Sequence, residues 1–228
     1  MSIMNLLDQL LQSGQGALQN AGNRGNATGQ GNPLGSLLTG AGGGVLAAGT
    51  IGVLMGSKKA RKMGGAALKY GGMAALGLVA YKAFSTWQQN NASATQVQQP
   101  RTLDRIPAPE AEFHGKAVLR AIIAAAKADG HIDDRERQLI DESIAQLTSD
   151  LELQSWVDQE LRKPMDPAEI ATSASTPEIA AEMYLASLLM VDEENFMERA
   201  YLDELARKMN LDPSFKMELE RQAKLSQG

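Results

Sequence analysis

Asp166-Pro167, Thr176-Pro177 and Asp212-Pro213 each set a helix-capping side chain directly before a proline. The capping oxygen accepts backbone N–H groups that a first turn leaves unpaired, and proline at the next position already has a helical φ. A chain punctuated this way is built for helices. Between these starts, apolar residues recur at helical spacing: Ile179, Met183 and Leu185 with Leu188 and Leu189. Upstream, Val118, Ile122 and the Ala125-Ala126 pair make an apolar face that runs to Gly130. A second helix opens at Asp133 or Asp134 and carries Leu139, Ile140, Ile144 and Leu147. A third covers 151–162 before Pro164, a short fourth reaches Ser173, a sixth covers 196–209, and the last opens at Pro213. No alternating run suggests a strand. Residues 110–228 are therefore expected to form an all-α domain of about seven helices around one core.

The first hundred residues are a different material. They hold seven basic groups and one acid, Asp8, whereas the remainder holds a net charge of −11. Of 22 glycines, 19 lie in this first part. Residues 4–11 suit a short amphipathic turn or two of helix. Residues 1–33 otherwise read as a disordered N-terminus, because Gly, Asn, Gln and Ser bury too little surface to offset chain entropy. No basic n-region precedes the first apolar residues, so a cleavable signal peptide is not expected.

Residues 34–87 read as a Gly/Ala-rich membrane-associated segment. Residues 34–56 carry no charge and are long enough to cross a bilayer as a helix, which takes about 20 residues. Gly40, Gly44, Ala48, Gly52 and Gly56 fall on one helical stripe, which lets two helix backbones approach closely and favours homo-oligomers within a membrane. Lys58, Lys59, Arg61 and Lys62 come next, facing anionic lipid more readily than nucleic acid, since no aromatics are interleaved. The second segment, 63–84, contains Lys69 and Lys82 and is read as a return helix or one lying along the surface. Tyr70, Tyr81 and Trp87 suit an interfacial belt. Only the first segment is taken to span, which places the basic cluster and everything after it in the cytoplasm. Residues 88–109, with Pro100, Pro107 and Pro109, read as a linker.

Candidate chemistry centres on two acidic turns. Asp129, Gly130, Ile132, Asp133 and Glu136 match the second half of a calcium loop, but Ala125 and Lys127 stand where its first carboxylates belong. A divalent cation, Ca or Mg, is one reading. The other is purely structural, with Gly130 closing one helix and Asp133 with Glu136 forming a capping box on the next. A looser copy, Met190-Val191-Asp192 followed by Glu198-Arg199 and Tyr201-Leu202, suggests an internal duplication. Asp192 and Glu198 would then join Asp129, Asp133 and Glu136 as ligands.

The Lys127-Ala128-Asp129-Gly130-x-Ile132-Asp133-x-x-Glu136 signature resembles the tellurite-resistance TerB-like domain, an all-helical module of two related halves. Ser57-Lys58-Lys59-Ala60-Arg61-Lys62, Leu68-Lys69-Tyr70-Gly71-Gly72 and Ala80-Tyr81-Lys82-Ala83 resemble a family of uncharacterised bacterial inner-membrane proteins that carry such a domain. The resemblance implies a membrane link and metal binding by the acidic positions just named. In the second half no glycine follows Asp192, and Phe196 stands where Asp133 would repeat.

Enzymatic chemistry finds little support. With no cysteine, disulfides, thiolate metal sites and cysteine catalysis are all excluded. His114, just before the first helix, and His131, in the acidic turn, read as solvated residues, with no nucleophile pattern beside either. The acidic domain would repel nucleic acid. The expected function is a non-enzymatic inner-membrane protein that contacts lipid through 34–87. Its acidic domain would be an interaction module, responsive to a divalent cation, in envelope or metal stress. The alternative is a soluble self-associating scaffold whose acidic turns are only caps.

Overall fold

A computed structural model describes residues 3–7, 73–90, 99–128, 138, 140–142, 144–145, 148–191 and 195–226. All secondary structure among them is helical. Seven of the helices are labelled here: α1 (Met73–Asn90), α2 (Ala108–Ala126), α3 (Leu151–Arg162), α4 (Pro167–Ala171), α5 (Pro177–Met190), α6 (Phe196–Lys208) and α7 (Pro213–Leu225). A helical turn at 3–7 and helical residues between 138 and 145 accompany them.

The proline punctuation works as its chemistry requires. Asp166 accepts from the Ala168 amide, Thr176 from Ile179, and Asp212 from Ser214 and Phe215. Asp150 and Asn195 do the same for α3 and α6. Each such cap contributes about 1 kcal/mol. The α6–α7 corner closes on Asn210, whose φ of 54° is left-handed. The Leu211 amide reaches Ala206 O and the Asn210 amide reaches Arg207 O, the paired bonds that end a helix at such a residue.

Helix α5 is the hub. Every residue from Ile179 to Leu188 is buried, whichever way its side chain points. A helix apolar on all sides must be surrounded, and α2, α1, α6 and α7 all pack against it. Its tenancy of the centre brings two polar groups inside, Glu182 and Ser187, both 0% exposed.

Helix α1 belongs to the same body. Leu76, Ala80, Ala83 and Phe84 form its buried stripe, packed on α7 and α5. Two of the expected interfacial aromatics serve protein contacts instead. Trp87 Nε1 donates to Ser214 Oγ at 2.7 Å and its ring lies 5.2 Å from that of Phe215, while Tyr81 carries the Arg105 guanidinium 3.6 Å above its ring. The stretch read as a linker is also structured in part. Thr102 and Leu103 are buried, and Leu103 donates to Glu182. No helix among the described residues is long and apolar enough to cross a membrane. The segment 34–56, where the span is expected, lies outside them.

The 99–106 stretch crosses α1 at Gly77. A Cβ there would stand 2.7 Å from the Asp104 amide nitrogen and 2.8 Å from its Oδ1. Gly77→Ala should gain about 1 kcal/mol of helix propensity yet lose about 1–3 kcal/mol to the clash. The backbone nitrogen cannot swing aside, so the clash should win. Thermal unfolding should show a lower Tm for Gly77→Ala, and an unchanged or higher one would mean that the crossing is looser than described.

Candidate functional site

Of the acidic positions singled out in the sequence, Asp129, Asp133, Glu136 and Asp192 lie outside the described residues. Their flanks are described. Lys127 opens the first turn and is 7% exposed, an unusual burial for an ammonium. Its Nζ donates to three carbonyls at the C-terminus of α3: Lys163 O at 2.7 Å, Glu160 O at 3.0 Å and Leu161 O at 3.4 Å. Those carbonyls have no partner within their own helix and carry the negative end of its dipole, so a cation there is doubly favoured. The helix ends at Ala126 with Lys127 as its cap, ahead of the expected stop at Gly130.

A polar cluster surrounds this lysine. Arg120 donates to Glu160 Oε2 at 3.0 Å, to Glu169 Oε1 at 2.7 Å and to Ser173 Oγ at 3.1 Å. Lys163 Nζ closes the ring on Glu160 Oε1 at 2.7 Å, and that bond holds its ammonium above the usual lysine range. Lys127 thus ties α2 to the end of α3, and Arg120, through Glu160 and Glu169, ties α2 to α3 and α4. Lys127→Met keeps the apolar stem but strands the carbonyls, and should lower stability by about 2 kcal/mol. Urea unfolding measures this directly; a loss below a few tenths of a kcal/mol would refute the role.

The second turn is framed by Val191, which is buried, and Asn195. Asn195 caps α6 through its Oδ1 and donates from Nδ2 to Glu198 Oε1 at 3.1 Å. Glu198, one of the suggested ligands, is 8% exposed and already hydrogen-bonded as part of that cap. Directly after the turn, Phe196 is 83% exposed and Met197 54%. Among the described residues no three His, Asp or Glu side chains are grouped as a metal site.

His114 departs from expectation. It lies inside α2 and is 3% exposed, with Nδ1 2.7 Å from Glu182 Oε2. Glu182 Oε1 accepts the Leu103 amide at 2.6 Å. Burial pushes the Glu182 carboxyl above its usual range, against the opposing pull of His114. This pair locks α2, α5 and the 99–106 stretch together. The sequence carried a signal for it: a helix apolar on all sides lies at the centre, so the single acid within its buried span has to be partnered.

One turn N-terminal of Val118, α2 receives the helical turn at 3–7. Leu6 and Leu7 are 0% exposed, and the Ile3 amide donates to Glu112 Oε2 at 2.8 Å. Burying two leucines contributes about 3–6 kcal/mol as an upper figure.

Residues 40–223 match the family described as "Protein of unknown function (DUF533)". The chain belongs to that family. The DUF533 match begins within the glycine-rich part and ends inside α7, so it treats both halves of the chain as one unit. A relative from Yersinia enterocolitica, described as "Uncharacterized protein in ampR 5'region", is 31% identical over 94 residues, 41% of this chain and 68% of the relative. No solved structure matches.

Proposed function

We propose that this DUF533 protein is a non-enzymatic, membrane-associated protein of the bacterial inner membrane. In this reading its helical domain is TerB-like, built of two related halves, and serves on the cytoplasmic side as an interaction module in envelope or metal stress. The membrane part rests on the uncharged run 25–57 and the Lys58, Lys59, Arg61 and Lys62 cluster behind it, which would meet anionic lipid. The interaction part rests on one observation, the adjacent exposed side chains of Phe196 and Met197 beside the second acidic turn. Exposed aromatics of this kind anchor protein partners. Sedimentation of membranes tests the first part: full-length protein should be recovered in the pellet, and recovery in the supernatant would sink it.

In the same proposal a divalent cation, Ca or Mg, is held weakly at the first acidic turn by Asp129, Asp133 and Glu136, with Asp192 contributed by the second. Glu198 would join only by giving up Asn195. Calorimetric titration of the full-length protein should show binding that Asp133→Asn abolishes; no heat for either protein would remove the cation. The full chain is required, because a fragment starting at 110 would lack α1.

A second reading is favoured by the capping geometry of Lys127 and of Asn195 with Glu198. It makes the acidic turns structural and the protein a soluble, self-associating scaffold. The supernatant outcome, with no cation binding, is what that reading expects.

A further inference from the structure

The seat of the 3–7 turn is built for close approach. A Cβ on Gly115 would come within 3.0 Å of Met4 Sδ, 3.3 Å of Ile3 Cγ2 and 3.5 Å of Leu7 Cδ1. With Leu6 and Leu7 fully buried, residue 7 is held on α2. At the other end, α1 is held on α7 and α5 from Leu76 onward. Both ends of the stretch 8–72 are therefore anchored to one helical body.

A bilayer turns this into a constraint. A stretch whose two ends lie on the same side crosses an even number of times or not at all. Two helical crossings need about 40 apolar residues. The uncharged run 25–57 has 33, and the residues between it and α1 include Lys58, Lys59, Arg61, Lys62 and Lys69. We propose that the 3–7 turn and the acidic helices sit on the same side of the membrane, so that no single crossing separates them. The single crossing at 34–56 expected from the sequence would place them on opposite sides and would require Leu6 and Leu7 to leave α2. This inference rests on the membrane reading above.

The absence of cysteine makes the test clean. Full-length Ser2→Cys and Ser175→Cys variants are labelled separately with a membrane-impermeant maleimide, in intact spheroplasts and after lysis. Met4→Cys with Gly115→Cys is treated in membranes with a short bifunctional thiol cross-linker. The proposal expects positions 2 and 175 to show the same accessibility, and the 4–115 link to form in isolated membranes. Labelling from opposite sides overturns it while leaving the membrane reading intact. Should the double variant fail to fold, the two single variants still decide. Full-length protein in the supernatant overturns the membrane reading instead, and the proposal with it.

Discussion

Phe215→Ala is expected to cost about 3–5 kcal/mol of unfolding free energy, the range for removing a fully buried phenylalanine. Phe215 is 3% exposed, and its ring centroid lies 4.3 Å from Phe84 and 5.2 Å from Trp87. These rings join α1 to α7, so the loss should be local as well as global. Limited proteolysis of the variant should cut within 73–90 well before it cuts α2 or α5. Ser214→Ala, which removes the acceptor of Trp87 Nε1 and the hydroxyl that donates to the capping Asp212 Oδ1, should cost about 1–2 kcal/mol. If Phe215→Ala cost less than Ser214→Ala and left proteolysis unchanged, α1 would not be part of the folded body.

Glu182→Ala should be comparably severe, about 3–5 kcal/mol, because it leaves His114 and the Leu103 amide buried without their partner. Glu182→Gln retains the shape and can still bond both groups, so it should be much milder. The pair of variants separates charge from packing, and pH adds a sign. Burial raises the carboxyl above 4.5 in the folded protein. The folded state therefore binds this proton more tightly than the unfolded chain does. The stabilisation is complete below the unfolded value and is lost as pH rises through the elevated folded one. Wild-type stability minus that of Glu182→Gln should accordingly fall as pH rises from the unfolded carboxyl's value through the elevated folded one. A difference that stayed level or rose would show that the ion pair with His114 outweighs desolvation.

Local chemistry foretells the helices of the acidic half closely. Thr176-Pro177 and Asp212-Pro213 mark their helix starts because capping and proline's φ act within one turn, where nothing distant can overrule them. That Glu182 needs a partner is legible, but the choice of His114 is not, for the opposite reason. Its own neighbours, Phe113 and Gly115, say nothing of Glu182, which is 68 residues away and reaches it only once α2 lies along α5. Lys127 stands in a recognisable motif, but its use as a cap for α3 depends on carbonyls more than 30 residues further on. Gly77 blends into a glycine-rich composition and Gly115 is one of three glycines after residue 100, and each proves to be a point of close approach by another segment.

The sequence by itself determined that the acidic half is helical and where most of its helices start, since period and capping are properties of neighbouring residues. It also determined that no cysteine chemistry is available. Tertiary structure decided what belongs to the core. Glycine and alanine spacing in 63–84 suits a lipid face or a protein face equally, because both reward small residues and apolar stripes. Only the presence of Phe215, α5 and the 99–106 stretch around α1 shows that Leu76, Ala80 and Phe84 are buried in protein.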